Sequence, residues 1–298
     1  MNALISSMRL RTLPLSLAGV VCGGVLALGK SDNSGWIFFL TLITACLLQI
    51  LSNLSNELGD NLNGVDGEQR EGPNYGMSEG LTIKQMWRAI NTTVVLCAIS
   101  GLAMLLLSYK FAIVNFQFAL MLALGAAAIW AATHYTLGKN PYGYKGLGDL
   151  FVFIFFGLVS VLGSYFVIAH TIDFKIWLIA PAIGMGLLSV AVLNVNNIRD
   201  MQSDMGIRRT IPLRIGERKA KWYQTILVVL GAACFIIPFF HFVVLLWFLI
   251  AIPVCGFVVH LSFVWTKKGK SLDLALPILV FSSFVMAITY SIICHGLL

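Results

Sequence analysis

The chain has 298 residues, 58% hydrophobic and only 11% charged, with a formal net charge of +7. Water-soluble domains carry roughly 25% charged residues, so this composition, with a mean hydropathy of +0.87, excludes a soluble globular domain and describes a polytopic membrane protein. The positive excess points to anionic membrane lipid and not to nucleic acid, because the basic residues lie in polar connections between apolar runs.

A helix needs about 20 mostly apolar residues to cross the hydrocarbon. Nine runs are candidates, over residues 13–28, 36–56, 90–108, 114–136, 147–169, 176–195, 222–240, 242–265 and 272–294. The first follows Arg9 and Arg11 in the manner of a signal peptide, but no small-x-small cleavage site follows, so it is read as a retained helix. The second runs into a polar stretch, and the loop 59–80 after it is rich in Gly, Asn, Asp and Glu. Thr82 with Gln85 then forms the pattern of a capping box that starts the third helix. The seventh and eighth runs are separated only by Pro238, Phe240 and His241. All six cysteines fall in apolar runs without a CxxC pair, as small buried hydrophobes do, and not as a disulfide or zinc framework.

Positive charge orients these runs. With the N-terminus cytoplasmic and the loops alternating, seventeen of the twenty Lys and Arg residues fall inside, and only Lys30, Lys110 and Lys175 fall outside. The expected fold is therefore an all-α integral membrane protein, one domain over 1–298. Nine transmembrane helices surround a central cavity, with the N-terminus cytoplasmic and the C-terminus outside. The long polar connections follow the second and sixth runs, which puts function at the cytoplasmic face.

Two polar stripes stand out there. In the segment 194–213, Asn197, Asp200, Asp204 and Arg208 are spaced three, four and four, which on a continuing helix keeps them on one face. At the end of the second run Gln49, Asn53, Asn56 and Asp60 are spaced four, three and four, and Asp66 follows beyond Gly64. A single Asp just past a membrane helix is usually a solvated loop residue. Two such stripes entering apolar helices are different, since unpartnered polar groups there are costly.

Oxygen ligands suit Mg²⁺, which bridges carboxylate to phosphate. Asp60, Asp66, Asp200 and Asp204 are the expected metal ligands. Arg199, Arg208 and Arg209 are placed to neutralise a diphosphate. An apolar bundle accommodates a hydrocarbon tail, and a diphosphate on such a tail is a polyprenyl diphosphate. Metal and Arg would stabilise the departing diphosphate and leave an allylic cation.

These motifs resemble those of the UbiA superfamily of membrane prenyltransferases. The first motif matches as Asn56-x3-Asp60 and Asp66, the second as Asn197-Ile-Arg-Asp200-x3-Asp204 with Arg208-Arg209-Thr210. Glu57 stands where many members have Asp, and Asp66 lies six after Asp60 where many have a four-residue step. Within the superfamily the chain looks most like the branch acting on 1,4-dihydroxy-2-naphthoate. That finer match rests on Arg9-Leu-Arg11-Thr12-Leu13-Pro14, on the run 53–66 and on Tyr142-Gly-Tyr144-Lys145-Gly146-Leu-Gly148-Asp149.

The resemblance implies a Mg²⁺-dependent enzyme of a bacterial cytoplasmic membrane, binding diphosphate through Asn56, Asn197 and the arginines. The prenyl chain replaces the carboxylate of the naphthoate, carbon dioxide leaves, and demethylmenaquinone is formed. Asp60, Asp200 and Asp204 are then the catalytic carboxylates. Asp149 either orients a ring hydroxyl or caps the fifth helix. Lys139, Lys145, Arg11 and Arg9 either bind substrate or serve as ordinary positive-inside charges. His134 reads more readily as packing than as a catalyst, and Phe151, Phe153, Phe155 and Phe156 as packing or lipid contact more than as a tunnel wall. Three alternatives stay open: a superfamily member acting on 4-hydroxybenzoate, homogentisate or haem, a cation-coupled transporter, and a lipid phosphotransferase with paired Asp motifs. Transporter sites lie near the midplane, however, and a phosphotransferase would hold its Asp residues in one compact motif.

Overall fold

The structure is a computed structural model and describes residues 2–64, 75–239 and 244–297. Among these residues it is all helical, and nine helices are long and apolar enough to cross a membrane. In chain order the spans are Ala3–Ala27, Ser34–Leu62, Ile83–Ser108, Phe116–His134, Gly148–Ala169, Ile176–Arg199, Glu217–Phe239, Leu249–Thr266 and Gly269–Gly296, referred to below as spans 1 to 9.

All nine apolar runs are helices, but the polar ends differ from the sequence reading. Span 2 continues to Leu62, past the expected end at residue 56, and span 6 to Arg199, past residue 195. Hydropathy marks where the apolar run stops, whereas the helix continues as long as its polar side chains find partners. Past residue 56, Glu57 does so by accepting from Met77 N–H at 2.7 Å and Asp60 by accepting from Tyr144 Oη at 2.8 Å. Span 1 starts ten residues earlier than expected. Its short lead helix Asn2–Ser7 and the 3-10 turn Leu10–Thr12 precede the main helix Leu13–Ala27, which Pro14 opens. Span 3 begins at Ile83 behind the expected capping box of Thr82 and Gln85. The expected break between spans 7 and 8 at Phe240 and His241 lies outside the described residues.

Span 6 is the packing centre. It lies against spans 5, 7 and 9, while span 1 closes the group against spans 2, 5 and 9. Small residues permit this. A side chain on Gly157 of span 5 would meet the Gly186 Cα at 2.6 Å and the Ala182 carbonyl at 2.7 Å, so backbone touches backbone, as small residues allow in membranes. That contact falls inside Phe153–Gly163, a stretch of π-helix in the middle of span 5. Spans 3 and 4 are less enclosed. They pack on each other and on span 2 around the buried Leu51, Leu54, Leu58 and Ile90.

The alternation of spans gathers one set of ends. The C-terminal ends of spans 2, 4, 6 and 8 and the N-terminal ends of spans 3, 5, 7 and 9 share one face of the bundle with the polar segments between them. Lys30, Lys110 and Lys175 sit in the short connections at the opposite face.

Candidate active site

The site is built where the ends of spans 2, 4, 5 and 6 meet. Residues 200–207 after span 6 are turns and not a continuation of the helix, so the single helical face expected for Asn197, Asp200, Asp204 and Arg208 is replaced by something less regular. The i to i+4 relation survives, because Asp204 N–H donates to Asp200 O at 2.9 Å and Arg208 N–H to Asp204 O at 3.0 Å. Successive α-turns therefore keep the four residues stacked although the helix has ended. Asp204 Oδ1 lies 3.5 Å from Arg208 Nε.

Arg208 joins the two motifs. Its Nη2 donates to Asp60 Oδ1, near the end of span 2, in an ion pair across 148 residues of sequence. Tyr144 Oη donates to the same Asp60 oxygen at 2.8 Å, and the Arg208 guanidinium lies 4.9 Å from the Tyr144 ring centroid. The group is enclosed: side-chain exposures are 15% for Arg208, 12% for Asp60 and 2% for Asp204. Burial pushes the Asp204 carboxyl up to about 6, against the opposing pull of Arg208, with Asp200 and Asp60 raising it further. Burial also raises the Tyr135 hydroxyl to about 12, which keeps it a neutral donor.

Arg199 is engaged elsewhere. Its Nε and Nη2 donate to the two Asp200 oxygens at 2.7 and 2.6 Å, and its Nη1 donates to Asp273 Oδ1 at 2.5 Å. Arg199 is thus tied to two carboxylates, unlike the freely available diphosphate ligand expected from the sequence.

A narrow polar cleft opens beside these groups, lined among others by Tyr135, Tyr144, Asp149, Asn197 and Arg208. Asp149 is in the first turn of span 5 but does not cap it, since Leu147 holds the cap position; Asp149 Oδ2 accepts from Tyr223 Oη of span 7 at 3.0 Å. Asn56 Oδ1 accepts from Thr136 Oγ1 at 3.3 Å, which fixes the end of span 2 on the segment after span 4. Arg11 donates to Tyr75 Oη at 2.6 Å, and Arg9 lies 4.0 Å over the same ring.

The side chains of Lys139, Lys145 and Arg209 are exposed and do not line the cleft, although Arg209 N–H donates to Tyr144 O at 3.0 Å. His134 stacks on Trp130 at 5.1 Å, the packing role expected of it. Phe151 stacks between Tyr142 and Phe155, while Phe153 covers Gly186. Asp66 lies outside the described residues.

Among the described residues no three acidic, His or Cys side chains are grouped so as to hold a metal ion by themselves. The donor set nevertheless fits Mg²⁺, which is bound through one or two carboxylates with substrate phosphate supplying the rest. Asp204 Oδ2 is buried without a hydrogen-bond partner among the described residues, as an oxygen reserved for a cation would be.

Three residues of the site carry little signal in the sequence: Tyr144 is an uncharged member of the motif over residues 142–149, Tyr223 lies in an apolar helix, and Asp273 is marked only as a lone acid among Lys267, Lys268 and Lys270.

The model of the UbiA prenyltransferase family matches residues 16–288. The chain is 43% identical over 235 residues to the 1,4-dihydroxy-2-naphthoate octaprenyltransferase of Escherichia coli (strain K12), covering 78% of this chain and 75% of that protein. It is 35% identical over 237 residues to the protein of the same name from Mycobacterium tuberculosis, covering 78% and 77%. A UbiA homologue from Archaeoglobus fulgidus, solved bound to GPP and Mg²⁺, superposes with a TM-score of 0.66 at 14% identity, covering 99% of each chain. An apo UbiA homologue from Aeropyrum pernix K1 gives 0.66 at 16% identity, over 92% of this chain and 97% of that one. Two distant motifs brought onto one arginine at one membrane face, in a bundle of this architecture, agree with what the sequence match establishes: the chain belongs to the UbiA prenyltransferase family.

Proposed function

We propose that this chain transfers a polyprenyl group from a polyprenyl diphosphate to 1,4-dihydroxy-2-naphthoate with loss of carbon dioxide, as a single multi-pass domain of a bacterial cytoplasmic membrane with its polar face toward the cytoplasm. The structural observation that carries the reading is the bridge from Arg208 to Asp60 and Asp204, which puts both polar motifs at one site. The relatives named above supply the acceptor. The family member solved with GPP and Mg²⁺ supplies the class of donor and metal.

Asp60, Asp200 and Asp204 would hold Mg²⁺, with Asp66 a further expected ligand. Bound there, the metal supplies positive charge to the diphosphate as its bond to the prenyl carbon breaks. Arg208 contributes to the same end, since its guanidinium is buried and already oriented by Tyr144 and Asp60. Asn56 and Asn197 would orient the diphosphate, and Arg199, donating to both Asp200 oxygens, would hold that carboxylate in direction. The allylic carbon then bonds to the ring carbon that carries the carboxylate. The electron pair of the bond to the carboxylate returns to the ring, carbon dioxide departs, and the ring regains aromaticity without a base at that carbon. The product is demethylmenaquinol, the reduced form of demethylmenaquinone. Asp149, oriented by Tyr223 in the cleft, is assigned to a ring hydroxyl of the acceptor.

The test supplies membranes containing the protein with labelled prenyl diphosphate, Mg²⁺ and carboxyl-labelled dihydroxynaphthoate. Release of the carboxyl label in step with formation of a prenylated quinol is the expected result. Product from 4-hydroxybenzoate alone would overturn the acceptor assignment, and no product from any aromatic acceptor would overturn the reading as a whole.

A further inference from the structure

We infer that Asp273, in the turn that opens span 9, is a positioning residue for the divalent-cation site: it shares the guanidinium of Arg199 and so leaves Asp200 its negative charge. The inference rests on the metal-assisted prenyl transfer proposed above.

The geometry is specific. Both Asp200 oxygens accept from Arg199, from Nε at 2.7 Å and from Nη2 at 2.6 Å. Such a two-pronged pair is formally neutral, and a neutral pair attracts a cation poorly. The remaining prong, Nη1, donates to Asp273 Oδ1 at 2.5 Å. Two carboxylates around one guanidinium leave the trio with a formal charge of minus one. The Arg199 side chain is 8% exposed, so solvent does little to screen these charges. Arg199 therefore holds the direction of Asp200, and Asp273 offsets the charge that Arg199 brings.

The start of span 9, two residues after Asp273, is tied to span 6 by a buried chain of hydrogen bonds. His260 Nδ1 lies 2.9 Å from the Ala275 carbonyl, which can only accept, so Nδ1 carries the proton. His260 Nε2 then accepts from Gln224 Nε2 at 2.9 Å, and Gln224 Oε1 accepts from Asn194 Nδ2 at 2.8 Å. Asn194, Gln224 and His260 are each at most 1% exposed. The chain runs from two residues after Asp273 to five residues before Arg199. It joins spans 9, 8, 7 and 6 in that order, so the segment next to Asp273 is linked to the helix that ends at Arg199. Partners that orient metal ligands from behind typically alter metal affinity about 10- to 100-fold when removed.

The experiment uses the full chain in lipid nanodiscs. Mn²⁺ is titrated with an unreactive thio-analogue of a prenyl diphosphate present, and free Mn²⁺ is read by electron paramagnetic resonance. Mg²⁺-dependent turnover is measured on the same samples. Asp273→Asn is expected to raise both cation midpoints about 10-fold or more, with turnover at saturating Mg²⁺ within about twofold of the unsubstituted chain. Asp273→Glu, which keeps the charge, is expected to restore the midpoints. Unchanged midpoints in Asp273→Asn, or turnover lost at every Mg²⁺ concentration with Mn²⁺ binding intact, would overturn the inference.

Should Asp273→Asn not fold, Asp273→Ser removes the same charge and leaves Arg199 on Asp200. A rise of both midpoints by about 10-fold or more supports the charge argument, and unchanged midpoints overturn it. The unsubstituted chain separates the two levels of failure: absence of Mg²⁺-dependent transfer there overturns the functional reading as well, whereas transfer with an insensitive Asp273 overturns this inference alone.

Discussion

Replacing Arg208 with Gln isolates the contact that joins the two halves of the site. The substitution keeps hydrogen-bonding capacity and removes one positive charge. It leaves Asp60 and Asp204 facing the same enclosed space, at side-chain exposures of 12% and 2%, with no cation between them. Removing one partner of a buried ion pair is destabilising by about 3–5 kcal/mol, mostly from the charge left behind. Tyr144 still donates to Asp60, which places the expected loss toward the lower end, about 3 kcal/mol. Thermal unfolding in detergent, followed by tryptophan fluorescence, measures it. Arg209→Gln is the control, because that side chain is exposed and its loss is expected to change stability by no more than about 0.5 kcal/mol. Added Mg²⁺ should recover part of the loss in Arg208→Gln, since the cation replaces the missing charge. Combining it with Asp60→Asn should also recover part of the loss, as removing both charges of a buried pair does. Melting of Arg208→Gln at the temperature of Arg209→Gln, with or without Mg²⁺, would refute the electrostatic bridge.

Three further outcomes are expected. Asp200→Ala should abolish prenyl transfer while membrane insertion, read by carbonate extraction, stays intact; retained turnover would remove Asp200 from the catalytic set. Gly157→Ala should be destabilising by about 1–3 kcal/mol, because the added carbon meets the backbone of Gly186 and Ala182, which has no rotamer to change. Gly125→Ala, where the added carbon meets nothing, should melt like the unsubstituted chain. His170, at the opposite face against Tyr109, has its imidazole held below the usual 6.5 by burial. A depressed folded-state value means that its contribution to stability is present above pH 6.5 and is lost as the pH falls through the lower folded value. The melting temperature of the unsubstituted chain should therefore fall on acidification more than that of His170→Gln, and parallel curves would refute this.

The sequence by itself determined the number and order of the spans, the face that carries the chemistry and most of the residues that carry it. The reason is local. Apolar runs of bilayer length, the bias of Lys and Arg to alternate connections, and Asp at helical spacing are all readable within about 20 residues of one another. The capping box at Thr82 was legible for the same reason. Partners were not. Nothing near Arg208 indicates that it reaches Asp60 across 148 residues, and nothing near Arg199 indicates that Asp273, 74 residues on, completes its coordination. Hydropathy likewise ended spans 2 and 6 too early, because the polar side chains past the apolar runs find partners elsewhere in the chain: Glu57 and Asp60 of span 2 in Met77 and Tyr144, and Arg199 of span 6 in Asp273. A charge buried at a helix end is tolerated only when an opposite charge or a donor arrives from elsewhere in the chain. The tertiary structure alone decided which one arrives: Arg208 shared between Asp60 and Asp204, and Arg199 divided between Asp200 and Asp273.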